Sequence, residues 1–120
     1  MQRSVRLLGV VLLIALAASL AFAAKSNADC KAAQDTFQDK CSMCHAPDGK
    51  GYAAIHTPDF TDPKWQAAHK DAELEEAIAN GKRDEGEMPA FKDQLTKAQI
   101  DSLVTCVVRG FGKSKPRARK

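Results

Sequence analysis

The most informative stretch of this chain is Cys41-Ser42-Met43-Cys44-His45. Two cysteines three residues apart, with a histidine directly after the second, have the spacing for covalent attachment of a haem. On one helical turn the two sulfurs can form thioethers with the vinyl groups of a porphyrin, and the histidine is carried beneath the ring to bind the iron. A zinc or dithiol site is the alternative that Cys-x-x-Cys alone leaves open. The adjoining histidine favours haem on Cys41 and Cys44, with His45 as an axial ligand.

Residues 1–23 have the pattern of a secretory signal peptide. Two arginines precede the apolar run Leu7–Leu20, and Ala21-Phe22-Ala23 supplies a small-residue cleavage site. We predict cleavage after Ala23 and export to the periplasm, where unligated thiols tend to pair. The apolar stretch Leu7–Ala24 is borderline in length for crossing a bilayer, so an uncleaved anchor is the alternative.

Charge and length restrict what the exported part can be. Of the 18 Lys and Arg residues, Arg3 and Arg6 are removed with the signal peptide, which leaves 16 basic and 15 acidic residues. A nearly neutral chain gives no charge argument for binding nucleic acid. So short a chain has a thin core, which a covalently held porphyrin would enlarge. We expect one monohaem domain over residues 24–112 and a basic flexible tail over 113–120.

Apolar spacing predicts an all-α domain. A first helix from about Cys30 to Lys40, with Asp29 as its cap, places one apolar stripe in line with the haem motif. Asp71 is the predicted N-cap of a second helix that Gly81 ends. Between these two helices, the segment Tyr52–Lys70 is predicted to be irregular.

A last helix begins at Thr96, which forms a capping-box pattern with Gln99. The sequence contains no internal repeat and no alternating strand pattern. The predicted apolar face of this helix consists of Ile100, Leu103, Val104, Val107 and Val108.

Met88 is the leading candidate for the second axial ligand. It lies between two predicted helices and Pro89 stiffens its approach, while its soft thioether would favour ferrous iron. The alternative for Met88 is ordinary core packing. His56 and His69 compete for the position, although both lie in polar stretches where a solvated imidazole is expected. An open sixth position would instead allow small-molecule binding or peroxidase-type chemistry.

Several segments together resemble a class I cytochrome c of the small bacterial monohaem type. The likeness covers nearly all of the exported chain and implies a cytochrome c fold, three to four helices wrapped around one haem c, with the first and last helices crossing. It is carried by Cys41–His45, Pro58-Asp59-Phe60-Thr61-Asp62-Pro63-x-Trp65, Gly81-Lys82, Met88-Pro89-Ala90-Phe91-Lys92 and Leu103–Arg109.

The resemblance also implies roles for individual residues. His45 would be the proximal and Met88 the distal iron ligand. Phe37 and Leu103 would lie at the helix crossing. Trp65 would pack on the haem and bond to a propionate, an ordinary core role being the alternative. The carbonyl of Pro58 would orient the His45 imidazole.

The sequence departs from the family in three places. Ala46 follows the motif histidine, where glycine is common, and the stretch from Gly51 to Pro58 is short, which would leave the haem less covered on that side. Cys106 stands where the family usually has an aromatic residue. If the helices cross as in the family, Cys106 could form a disulfide with Cys30, which lies on the same face of the first helix as Ala33.

These observations predict an exported soluble one-electron carrier rather than an enzyme, because no distal acid–base group is visible. Its partners would be a redox donor and a redox acceptor that dock transiently on a monomer, with membrane contact only through partner complexes or an uncleaved signal segment. The alternatives are a haem subunit of a larger oxidoreductase, a haem sensor or weak peroxidase with an open sixth site, and a haem-free metal or thiol protein.

Overall fold

The computed structural model describes residues 27–83 and 87–113. The predicted signal peptide and all but the first residue of the predicted basic tail lie outside the described residues, so both stay predictions. Within the described ranges, no helix is both long and apolar enough to cross a membrane.

The first helix, α1, runs without a break into the haem motif. It is α-helical over residues 27–36, π-helical over Phe37–Cys41 and α-helical again over Ser42–His45. The predicted start was wrong, because residues 27–30 are already helical and Asp29 lies inside the helix instead of capping it. As a result, the two thiols and His45 occupy the last turns of a long helix.

Two short helices follow a 3-10 turn at Ala53–Ile55. The first, α2 (Pro63–Ala68), falls in the segment that we predicted to be irregular. The Asp62 carboxylate caps it by accepting the Lys64 N–H at 2.9 Å, and proline occupies the first position.

The second of these short helices is α3 (Asp71–Asn80). Asp71 is its first residue and not, as predicted, its N-cap. Gly81 ends α3 as predicted, with its N–H donating to the Ala77 carbonyl at 2.9 Å.

The last helix, α4, is α-helical over Lys97–Ser102, π-helical over Leu103–Val108 and α-helical over Arg109–Lys113. The predicted capping box is confirmed: the Gln99 N–H donates to Thr96 Oγ1 at 3.2 Å, and the Thr96 N–H donates to Gln99 Oε1 at 2.8 Å. The predicted apolar face is also confirmed, since all five of its residues are buried.

Helices α1 and α4 pack together around the core. Phe37 and Leu103, both 2% exposed, belong to one buried cluster, and the Phe37 and Phe111 ring centroids lie 5.2 Å apart. Near the start of α1, Cys30 and Cys106 are joined by a disulfide with their Cα atoms 5.4 Å apart. The described residues contain no strand, only an isolated bridge between Lys82 and Met88. The predicted all-α fold is therefore confirmed.

Candidate haem site

Two free thiols lie at the end of α1. Cys41 is half-buried and Cys44 is exposed, whereas the other two cysteines of the chain are paired. Burial raises the pKa of the Cys41 thiol to about 11, although the neighbouring Lys40 acts in the opposite direction. Cys41 is therefore a neutral thiol at ordinary pH. The pair is separated by less than one helical turn and is available for two thioether bonds.

The His45 imidazole is placed by packing. Its ring stacks on Phe60 with the centroids 4.9 Å apart and the planes 20° apart. Burial lowers the pKa of the imidazole below its usual 6.5, which favours the neutral form that binds a metal. In the described part of the chain, His45 Nδ1 is a buried nitrogen without a hydrogen-bond partner. A half-buried neutral imidazole beside two free thiols fits the donor set that a covalently attached haem requires.

The role expected of the Pro58 carbonyl in orienting His45 stays a prediction. In the described part of the chain, His45 Nδ1 has no hydrogen-bond partner. The Pro58 carbonyl oxygen lies close to Gly51: a Cβ at Gly51 would lie 2.6 Å from the carbonyl oxygens of both Thr57 and Pro58. Glycine permits this close approach, and the Gly51 N–H then donates to the His45 carbonyl at 3.0 Å.

Met88 is half-buried, and main-chain hydrogen bonds hold the backbone at Met88 and at the residues that follow it. The Lys82 N–H donates to the Met88 carbonyl at 3.0 Å, and the Met88 N–H donates to the Lys82 carbonyl at 2.9 Å. Further along, the N–H groups of Phe91 and Lys92 donate to carbonyls at the end of α3, at 3.0 and 3.1 Å. These bonds join the main chain at Met88, Phe91 and Lys92 to Lys82 and to the end of α3. The role of Met88 as iron ligand stays a prediction.

Trp65 and the two competing histidines have distinct surroundings. Trp65 packs between Phe60 and His69, with ring centroids at 4.9 and 4.5 Å. His69 is half-buried and its Nδ1 lies 2.9 Å from the Trp65 carbonyl, so the expected solvated imidazole was wrong for this residue. His56 is exposed, as expected.

The residues that support this site were missed by sequence reasoning. Phe60 entered the sequence analysis only as part of the motif that carries the family resemblance, yet its ring contacts those of His45, Trp65 and Phe111. Gln66 and Arg109 join α2 to α4 by hydrogen bonds. Gln66 and Arg109 are 43 positions apart in the sequence, so only tertiary structure brings them together. No local sequence pattern predicts this contact.

Comparison with known proteins identifies the chain. The family described as "Cytochrome C oxidase, cbb3-type, subunit III" matches residues 28–105, well over half of the sequence. The chain belongs to this family. It is a c-type cytochrome, and the predicted covalent haem c with its iron is confirmed at that level. The donors that would hold the haem, Cys41, Cys44, His45 and Met88, stay predictions residue by residue.

Individual relatives agree with the family assignment. The cytochrome is 30% identical over 77 residues to the Cbb3-type cytochrome c oxidase subunit FixP of Azorhizobium caulinodans, a match that covers 64% of this chain and 26% of the relative. It is 36% identical over 63 residues to subunit CcoP of Rubrivivax gelatinosus, covering 52% of this chain and 20% of the relative. The chain thus spans about a quarter or less of these curated relatives.

A solved structure matches over nearly its whole length. The KustC0563 c-type cytochrome is 35% identical, with a TM-score of 0.59, and the match covers 67% of this chain and 96% of that one. The cytochrome c fold predicted by the resemblance is therefore confirmed.

Proposed function

We propose that this cytochrome is an exported one-electron carrier of the periplasm, with one haem c held by Cys41 and Cys44 and ligated by His45 and Met88. The observation that carries the proposal is the pair of free thiols beside a half-buried, neutral imidazole at the end of α1. Bound haem supplies a ferric/ferrous couple. The chain acts as a monomer and not as an enzyme in its own right, and it passes electrons between a redox donor and a redox acceptor that dock transiently.

Each donor has a distinct task in this proposal. The two thioethers would fix the cofactor to α1, and the neutral His45 imidazole would offer a nitrogen to the iron. The soft Met88 sulfur would favour the ferrous state and raise the reduction potential. Paired backbone bonds to Lys82 hold the main chain from which the Met88 thioether would reach the iron.

A second candidate is a haem-bearing part of a larger oxidase. The family description and the names of both curated relatives, which are oxidase subunits, favour it. An affinity-tagged chain expressed in its own host distinguishes the two: a free carrier elutes alone from mild detergent, whereas an oxidase subunit elutes with integral membrane proteins in fixed ratio.

The absorption spectrum of the purified protein tests the ligation. A weak far-red sulfur-to-iron band in the ferric form, lost in Met88→Ala, supports His/Met ligation and the carrier function. A high-spin ferric spectrum, with ready binding of carbon monoxide after reduction, would contradict it and favour a sensor or weak peroxidase with an open sixth site. The matched control is Met43→Ala, because Met43 is 85% exposed and should leave the band unchanged.

A further inference from the structure

The side chain of Gln66 in α2 is held in one orientation. Its Nε2 donates to the Phe60 carbonyl at 2.7 Å and to the Val108 carbonyl at 2.8 Å. Its Oε1 accepts from Arg109 Nη1 at 2.8 Å. Both donors and the acceptor of the amide are thus engaged by main-chain groups or by a fixed cation. If the amide were flipped, Gln66 Oε1 would lie against the carbonyl oxygens of Phe60 and Val108, and oxygen would face oxygen. Only one orientation of the amide is therefore compatible with these partners.

Arg109 in α4 fixes Gln66 from the other side. Besides the Gln66 side chain, its guanidinium donates to the Gln66 carbonyl at 2.8 Å and to the His69 carbonyl at 2.6 Å. Its Nε donates to the Asp71 carboxylate at 2.7 Å. The Arg109 side chain is only 19% exposed, so water competes little for these charge-assisted bonds. We call Gln66 and Arg109 together the clamp.

The clamp contacts the predicted iron ligand His45 through one residue, Phe60. Gln66 binds the main chain of Phe60, and the Phe60 ring stacks on His45 at 4.9 Å. His45 Nδ1 has no hydrogen-bond partner in the described part of the chain. The Phe60 ring, whose plane lies 20° from that of the imidazole, is the contact that can restrict the ring plane in this structure.

We propose that Gln66, held by Arg109, is a positioning residue for the haem ligand His45. It fixes the main chain of Phe60, and Phe60 in turn fixes the plane of the imidazole. This role rests on the proposed His45 ligation. It predicts that loss of the Gln66 amide changes the electronic structure of the iron site, although no atom of Gln66 belongs to that site.

The test compares holoproteins by electron paramagnetic resonance of the ferric form and by redox titration. Gln66→Met keeps the length of the side chain and removes the amide. We expect it to shift the g-values of the low-spin signal, which depend on the orientation of the axial ligands, and to shift the midpoint potential. The control is Ile100→Val, a core substitution elsewhere on α4 whose effect on melting temperature is measured alongside. It should leave g-values and potential unchanged.

A melting temperature lowered in Gln66→Met, with g-values and potential equal to those of Ile100→Val, would overturn the positioning role and leave a purely structural one. If Gln66→Met does not retain haem, Arg109→Lys is tested in its place. Lysine keeps a positive charge near Asp71 but loses the guanidinium hydrogen bonds to Gln66. Unchanged g-values in Arg109→Lys would again overturn the proposal. A wild-type protein without a low-spin signal would overturn the His45/Met88 ligation itself, and the positioning role with it.

Discussion

Ala46, the residue after the haem-motif histidine, has a backbone conformation that suits glycine. Its φ is 60° and its ψ is 148°, in a region that is essentially confined to glycine, and it is buried. Its carbonyl accepts the Gly49 N–H at 3.1 Å, which helps to fix the turn. The sequence departs from the family's glycine at this position, and the departure leaves strain beside the predicted iron ligand His45.

Replacing Ala46 with glycine should therefore stabilise the protein. The strain relieved is of the order of 1–3 kcal/mol, and the added freedom of the unfolded chain offsets about 0.4–1 kcal/mol of it. We expect a net gain of about 1 kcal/mol in the free energy of unfolding, measured by denaturant titration. Ala72→Gly, on the exposed surface of α3, is the matched control and should lose about 1 kcal/mol. Equal losses in both variants would show that Ala46 is unstrained.

At the scale of elements, the Cys30–Cys106 disulfide ties α1 to α4 across a sequence separation of 76 residues. Closing so long a loop restricts the unfolded chain and stabilises the fold by about 4 kcal/mol in the chain-entropy account. A thiol reductant should therefore lower the melting temperature of the wild type, because thioether bonds to haem resist it. The Cys30→Ala/Cys106→Ala variant should have a lower melting temperature than the wild type, and reductant should not change it. A wild type that melts equally with and without reductant argues against the bond.

The connection between α3 and the Met88 loop should also respond to a single methyl group. Gly81 has φ of 75°, and a Cβ there would meet the carbonyl oxygen of Met88 and the backbone of Pro89 and Ala90. Gly81→Ala should displace the loop and reduce the far-red sulfur-to-iron band in the ferric spectrum. Gly110→Ala is the control, since nothing lies within 4 Å of its added Cβ. An intact band in Gly81→Ala would mean that the loop does not control the ligand.

Local patterns predicted the elements whose signals are local. The apolar face of α4, from Ile100 to Val108, follows from helical periodicity, and its start follows from the Thr96 capping box. Asp62-Pro63, a cap followed by proline at the first helical position, is the local signal for α2. Because proline also ends helices, Pro58 and Pro63 favour the irregular segment that the sequence predicts here.

The supports of the candidate site were beyond sequence reasoning for a different reason. The stack of Phe60 on His45 and the clamp join residues that are distant in sequence, and only packing brings them together. The close approach of Gly51 to the Pro58 carbonyl is likewise a tertiary contact that a family likeness alone does not determine.

At the scale of the whole molecule, the core is small. Ten hydrophobic residues are buried in the described part of the chain, two of them alanines. Bound haem would add a large apolar surface to this core, so its covalent loss should cost most of the cooperative stability. Thermal unfolding of Cys41→Ser/Cys44→Ser, followed by near-ultraviolet circular dichroism, should show a weak and broad transition. A transition as sharp as that of the wild type would mean that the fold does not depend on the cofactor.

The central claim is that this cytochrome carries one haem on Cys41 and Cys44. Mass spectrometry of tryptic peptides from the purified protein tests it most directly, because Lys40 and Lys50 place both cysteines in the peptide Cys41–Lys50. The account predicts that this peptide carries the mass of one haem added through two thioethers, and that Cys44→Ser leaves a single attachment. A peptide of unmodified mass would contradict it. So would a peptide that is lighter only by the two hydrogen atoms lost when Cys41 and Cys44 form a disulfide.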